Sequence, residues 1–403
     1  MKNPIEGRTI LLGVTGSIAI YKAADLASKL TQAGAKVDVI LTEKALHFMN
    51  PLTFQSVTGR KAYTEDDLWG GEGHVVHIEL GRAAELVLIA PISANTMASL
   101  AHGIADNLLT VATLASHCPL MIAPAMDGGM FANPATQANL HILKERGAIV
   151  VGPAEGHLAS GLTGPGRMVE PAEIFDNVRF LFSRGGPLQG KKFVITAGGT
   201  REPIDPVRFI TNRSSGKQGY AVAQAALNAG ADVTLITTNS ELTPPVGAVI
   251  KSVETAAEMQ KAVEEESKDA YALIMAAAVA DFTPIQEQTQ KIKKETGIPV
   301  LELRSTPDIL KLIGEKKSIT GFPKKLIGFA AESQDLIANA QRKLETKNLD
   351  LIVANNILAK DAGFEVDNNR VVLIPKKGES ISLPLLSKQE VAEKIIEVIL
   401  GWE

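Results

Sequence analysis

Short apolar runs alternate with longer amphipathic stretches from the first residues of the chain: Thr9–Val14, Lys36–Leu41, Leu86–Ala90, Leu120–Ala123 and Ala148–Val151. Apolar runs of strand length separated by helix-length segments predict a doubly wound parallel sheet. Between the first two runs, Ala19, Ala23, Leu26 and Leu30 recur at helical spacing and Gly34 follows as a C-terminal cap, which predicts a βαβ unit. The rhythm breaks at FSRGGPLQGKK, Phe182–Lys192, where glycine, proline and charge mark a linker. It restarts with Phe193–Ala197, Asp232–Ile236, Ala272–Ala276, Leu326–Phe329 and Leu349–Ala354, and RVVLIP with SISLPL predicts a closing hairpin before a C-terminal helix. The expected fold class is α/β, with two doubly wound, mostly parallel-sheet, Rossmann-like domains at 1–185 and 190–403 and no internal sequence repeat.

Length agrees with two cores, since 403 residues exceed what one ordinary core organises. With 45% hydrophobic residues, 21% charged and a net charge of -4, nothing draws the chain toward nucleic acid or anionic membranes. Its apolar runs fall far short of the roughly 20 residues that cross a bilayer, and the start lacks a signal-like pattern, so a cytoplasmic location is expected. The single cysteine, Cys118, excludes an internal disulfide and a cysteine-based metal cage, and the seven histidines lack ligand spacing. A metal would arrive with a ligand.

GVTGSIA, Gly13–Ala19, joins the first predicted strand to the first helix, so Gly16, Ser17 and Ile18 offer backbone N–H groups and a hydroxyl to a phosphate. It is not the G-x-G-x-x-G dinucleotide fingerprint, and the second strand runs into Thr42 rather than an acid, which favours a mononucleotide over NAD. APISANT, ending in Ser93, Ala94, Asn95 and Thr96, sets small polar groups at another strand end, and GIADNLL follows at Gly103. IAPAMDGGMF puts Asp127 at the mouth of a buried strand, beside two glycines that would let a ligand approach the backbone.

In the second half, glycines again follow a strand at Thr196–Thr200, but the next helix is predicted only near Gly216, a connection long enough to be functional. Arg201, Arg208, Arg213 and Lys217 in it suit phosphates. AAAVAD ends the third strand, with Ala276, Ala277 and Asp281 where a nucleotide would lie. Lys291, in KIKKETG, is a cation for a triphosphate; TPDIL starts a helix whose Pro307, Asp308, Ile309 and Leu310 offer N-terminal groups; Phe329 closes a strand; Lys343 and Lys347 share one predicted helix face.

GVTGSIA, HVVHIEL, PISANT, GIADNLL and PAMDGGM, in that order, resemble the homo-oligomeric flavin-containing cysteine decarboxylases. ITAGGTREPIDPVRFITNRSSGKQG, Ile195–Gly219, is similar to phosphopantothenate-cysteine ligases, and the two halves together resemble the bifunctional bacterial enzymes of coenzyme A biosynthesis. The resemblance implies FMN near Gly16, Ser17, Ile18, Thr42, Ser93, Ala94, Asn95, Thr96 and Ser116, at a trimer interface, and a catalytic His77. His47, His74 and His117 have no such match. It implies Asn212 and Lys291 as catalytic in the ligase half, with CTP and Mg2+ as the nucleotide pair. The implied sequence is ligation of 4'-phosphopantothenate with cysteine through an acyl-cytidylate, then decarboxylation to 4'-phosphopantetheine. Trimeric decarboxylase cores with dimerising ligase domains are implied, a dodecamer being one closed form.

Two positions depart from the family pattern together: Asp127 stands where an asparagine is usual, and Ser160, in HLASGLTGPGRM, where a flap cysteine is usual. An ionised carboxylate only accepts hydrogen bonds and repels a substrate carboxylate; Asp127 works if burial protonates it or if it takes a proton from flavin or substrate amide. A serine hydroxyl is a poor donor to an enethiolate. The expectation is a variant proton route. The alternatives are a ligase with a flavin-binding scaffold, a regulatory flavoprotein module, and tandem NAD-dependent dehydrogenases, the last disfavoured by the missing fingerprints.

Overall fold

The computed structural model describes residues 3–69, 75–239, 241–293, 300–332, 335–356 and 368–402. His74 and the end of KIKKETG, residues 294–297, lie outside them. The chain divides into two compact units, Lys2–Phe182 and Ser183–Glu403.

In the first unit six parallel strands lie in the order Ala62–Tyr63, Lys36–Leu41, Thr9–Val14, Leu86–Ile92, Leu120–Pro124, Ile149–Val150. Ile10, Leu12 and Val14 point into one apolar layer and Leu11 into the other, as the two-residue period of a strand requires. Both layers are buried, which is why these strands read as continuous apolar runs. The first helix, Ile20–Gln32, packs Ala23, Leu26 and Leu30 against the sheet and ends in a turn through Gly34, whose N–H donates to the Thr31 carbonyl. Order reverses between Thr9–Val14 and Leu86–Ile92, the place where such folds open a crevice at the strand carboxyl ends.

In the second unit Val249–Ser252, Asp232–Thr237, Lys192–Ala197, Ala272–Met275, Lys325–Glu332 and Leu351–Asn356 run parallel. Val371–Pro375 and Ile381–Ser382 close the edge as an antiparallel hairpin, followed by the helix Lys388–Leu400. The short edge strands Ala62–Tyr63 and Val249–Ser252 carry too few apolar residues to stand out in the sequence. The long connection from Ala197 to Gly216 contains a hairpin of Arg201–Pro203 and Phe209–Thr211. No helix among the described residues is long and apolar enough to cross a membrane.

The stretch read as a linker is packed. Leu188 is fully buried, its N–H donates to the Ala229 carbonyl at 2.8 Å, and Arg184 pairs with Asp232 at 3.0 Å. Burying one leucine contributes about 2 kcal/mol. A fragment starting at residue 183 should therefore melt roughly 4–8 °C above one starting at residue 190, by calorimetry. Equal melting would show that residues 183–189 add nothing.

Candidate functional sites

Two sites follow from the topology, one at the carboxyl edge of each sheet. In the first unit the loop after Val14 lies so close to the turn after Leu41 that a Cβ at Gly16 would sit 2.6 Å from the Lys44 Cβ. Thr15 Oγ1 donates to the Pro91 carbonyl and accepts the Ser93 N–H, both at 2.9 Å, tying the first loop to the fourth strand's end. Ser93 caps the helix Ala94–His102, its Oγ accepting the Thr96 N–H at 3.3 Å. Ser17 Oγ accepts the Ala19 N–H at 3.3 Å, and no side chain caps the helix that begins at Ile20. Gly16, Ser17, Ile18, Thr42 and Ser93–Thr96 thus gather at one edge, with donors and helix starts suited to an anion. Ile18 is exposed there, an apolar surface beside a polar cradle.

Ser116 is not brought to this edge. It precedes the strand Leu120–Pro124, and Pro119 beside it accepts the Val87 N–H, so it lies about one strand length, roughly 20 Å, from the cradle. With Cys118 and Leu120 it lines an open groove of about 400 Å³. Cys118 is half-buried and burial pushes its thiol up, away from reactivity.

His77 lies in the first turn of the helix Val76–Ala83, which runs back toward the strand amino ends, so its ring is on the carboxyl side. Its Nδ1 is buried without a hydrogen-bond partner among the described residues. A buried, unpartnered ring nitrogen is costly unless something completes it.

Asp127 and Ser160, distant in sequence, touch. Asp127 caps the short helix Gly128–Ala132: its Oδ1 accepts the Gly129 N–H at 2.9 Å, and its Oδ2 accepts the Ser160 hydroxyl at 2.6 Å. Ser160 sits at the tip of a hairpin, Ala154–His157 with Thr163–Arg167, whose Gly166 carbonyl accepts the Met126 N–H at 3.0 Å. The Ser160 hydroxyl, then the Gly129 N–H, hold the Asp127 carboxyl below its ordinary range. Burial does not protonate it: the carboxyl is half-buried and faces two donors, which favour its ionised form.

The second site is a cavity of about 650 Å³. Ala276, Ala277, Asp281, Pro307, Asp308, Ile309, Leu310, Phe329 and Lys347 line it, and so does Asn212. Backbone stitching builds its wall: Thr196 Oγ1 accepts the Ala277 N–H at 3.1 Å, and Thr200 Oγ1 the Ala280 N–H at 2.9 Å. Gly198 makes this possible, because at φ +89° a Cβ would strike Thr238 Oγ1 at 2.1 Å. Asn212 Nδ2 donates to the Val279 carbonyl at 3.0 Å, with Ala278 O at 3.4 Å. Flipping the amide would set oxygen against those carbonyls, so Oδ1 is the atom left for a ligand. Through Oδ1, Asn212 can hold a donor on the ligand.

The basic residues separate. Arg213 lines the cavity, whereas Arg201 stacks over Phe209 at 5.0 Å and Arg208 pairs with Asp205. Lys347 reaches the cavity paired to Asp308 at 2.8 Å; Lys343 does not line it, so the two do not converge. Burial raises the Asp308 carboxyl, but Lys347 and the Lys311 N–H bring it below its ordinary value. Asp308, not Pro307, caps the helix Ile309–Thr320. Lys291 is exposed and absent from the cavity lining. Sequence reasoning missed Gln218 and Asn355, which line the cavity and each keep a buried amide oxygen without a partner among the described residues. Such orphans mark where ligand donors fit. Gln218 lay inside a quoted motif; Asn355 gave no local signal.

Family models match both units: one described as Flavoprotein over residues 1–183, and one described as DNA/pantothenate metabolism flavoprotein C-terminal domain over 188–402. The chain is 45% identical over 398 residues to the coenzyme A biosynthesis bifunctional protein CoaBC of Bacillus subtilis, covering 98% of this chain and 97% of that one. It is 43% identical to the protein of the same name from Vibrio cholerae, over 98% of each. A crystal structure of the C-terminal domain of a coenzyme A biosynthesis bifunctional protein CoaBC is 43% identical over 53% of this chain and 96% of that one, with a TM-score of 0.45.

The Asp127–Ser160 bond carries a pH expectation. A depressed carboxyl keeps its partner while ionised and loses it as pH falls through the lowered value, so flap protection should hold from about pH 8 to 5 and fail only below roughly 4. Hydrogen exchange of the amides of 158–162 measures this, and Ser160→Ala should remove the protection throughout. Opening between about pH 6 and 7 would contradict an ionised Asp127.

Proposed function

As a member of the family of bifunctional coenzyme A biosynthesis proteins, the chain joins a flavoprotein decarboxylase domain to a ligase domain, and we propose how its own residues divide that chemistry. Residues 1–185 carry decarboxylation and residues 190–403 carry ligation. The observation that carries the reading is the 650 Å³ cavity that Asn212 lines together with the residues expected for a nucleotide other than Lys291 and Lys343.

In the ligase half the carboxylate of 4'-phosphopantothenate attacks the α-phosphorus of CTP, forming the acyl-cytidylate and releasing pyrophosphate. The cysteine amine then attacks the acyl carbon and CMP leaves. The helix starts after Gly216 and Asp308 face this cavity and suit phosphate charge. Asn212 Oδ1 accepts from the incoming amine, which orients its lone pair to the acyl carbon. Asp281, exposed at the rim, accepts from ribose or base. Mg2+ travels on the triphosphate in this reading, bound by phosphate oxygens. Lys291, on the arm beside the cavity rim, neutralises charge on the leaving pyrophosphate.

In the decarboxylase half the uncapped helix start, Gly16, Ser17, Ile18 and Thr42, and the Ser93–Thr96 turn fit the phosphate of FMN, and the orphaned His77 Nδ1 fits a site completed by a ligand. Bound FMN supplies the two-electron acceptor for the cysteine thiol end and returns the electrons after carbon dioxide leaves. His77 takes and returns the proton that accompanies this exchange. Asp127 accepts from the substrate amide N–H, a role open to a carboxylate as to an amide oxygen. The Ser160 hydroxyl donates to Asp127 at a flap tip open to solvent, so the pair relays the solvent proton that the last reductive step consumes.

The domains of several copies form a homo-oligomer on a trimeric core; the exposed Ile18, Ile104 and Leu114 support burial against other copies. Light scattering of the yellow protein should give a multiple of three subunits; a monomer would overturn this.

Purified protein given 4'-phosphopantothenate, cysteine, CTP and Mg2+ should release 4'-phosphopantetheine, followed by mass spectrometry. Asn212→Asp and Lys291→Gln should each slow ligation roughly 100-fold or more. Asp127→Ala should abolish carbon dioxide release, and Ser160→Ala should slow only the last reductive step. Ligated product without decarboxylation, with FMN bound, would leave the ligase as the working half. That second reading rests on the same pair, since both departures sit where chemistry is expected.

A further inference from the structure

One buried carboxylate organises the rim of the ligase cavity. Asp205 has a fully buried side chain at the tip of the hairpin Arg201–Pro203/Phe209–Thr211. Its Oδ1 accepts the Val207 and Arg208 N–H groups, both at 2.9 Å. Its Oδ2 accepts the Ile292 N–H at 3.1 Å and the Arg208 guanidinium through Nε at 3.0 Å and through Nη2. Arg208 Nη2 also donates to the Ile292 carbonyl at 3.0 Å, so Ile292 is held at both backbone groups. The Ile204 carbonyl adds a bond from the Gln288 N–H at 3.0 Å.

What these bonds tie together gives them meaning. The hairpin's second strand runs directly into Asn212, whose amide is pinned to the cavity wall. Ile292 follows Lys291 on an arm that leaves the cavity rim at Asp281 and returns at Thr306 through the ribbon Phe282–Pro284/Leu303–Ser305. The arm itself has little apolar anchorage, since residues 286–291 are exposed. Next to Lys291, the Asp205 cluster holds the arm to the body through both backbone groups of Ile292. The Arg208 guanidinium keeps the Asp205 carboxyl far below the usual carboxylate range, so the cluster is ionised at any pH the enzyme meets.

We propose that Asp205 is a positioning residue for ligation: its carboxylate fixes the arm bearing Lys291 relative to the hairpin bearing Asn212. This rests on the reading of Lys291 as the cation of the ligase step. Freed from Asp205, the arm would sample many positions, and misplacing a catalytic group by about 1 Å costs on the order of 100-fold.

A double-mutant cycle on the full chain tests it, with kcat and the KM for CTP read from pyrophosphate release. Asp205→Asn, whose amide nitrogen cannot accept the Ile292 N–H or face Arg208, should lower kcat roughly tenfold or more and move KM little. In a Lys291→Gln background the same change should add almost nothing. Ile292→Pro, which deletes only the arm's donor and leaves Asp205 with Arg208, should repeat the kcat loss if Asp205→Asn fails to fold. Losses that multiply in the double variant, or full activity of Ile292→Pro, would overturn the proposal. Full activity of Lys291→Gln would instead overturn the reading of Lys291, with Asp205→Asn then showing whether the arm matters by another residue.

Discussion

Parallel strand pairing is the constraint on which both units depend. Lys192–Ala197 lies between Asp232–Thr237 and Ala272–Met275 in parallel register, so each strand must be followed by a crossover that returns to the amino edge. Every strand carboxyl end, and most helix starts, consequently fall on one edge of the sheet. The Ala94 and Ile309 helix starts, the Asn212 amide and the Asp127 turn are products of that geometry. The same constraint sets Ser116, which precedes its strand, on the other edge of its own sheet.

Polar side chains buried at these edges serve the backbone first. Thr15, Thr196 and Thr200 each accept an N–H from a neighbouring strand's outgoing loop, so loops that would otherwise be free become walls. An unsatisfied buried donor costs about 1–3 kcal/mol, which makes each threonine a strong determinant of loop position. Where the wall is incomplete, at His77 Nδ1, Gln218 Oε1 and Asn355 Oδ1, the gaps lie in the regions assigned to ligands.

Charge is used in two ways. Asp205 and Arg208 form a clamp with three backbone N–H groups, so the buried carboxylate's desolvation is offset by a full set of donors. Asp127 is half-buried and has fewer donors, and its bond to Ser160 joins a turn to an exposed flap tip. The first arrangement fixes a segment; the second can open when a substrate offers a better partner. The two residues that depart from the family pattern are thus in direct contact.

Sequence alone determined the α/β class, the two sheets and most central strands, because a strand buried on both faces must be apolar along its length and Thr9–Val14 or Leu86–Ile92 cannot hide that. It also placed the glycine turns and most of the cavity-lining positions, since these follow strands directly. It could not separate a linker from a packed segment at 183–191, because Gly and Pro signal a turn without saying what Leu188 meets. Nor could it tell that Lys347 pairs with Asp308, that Arg208 is bound to Asp205, or that Ser160 bonds to Asp127. Hydrogen-bond partners are set by which distant loops the sheet order brings together, and only the tertiary structure decides that.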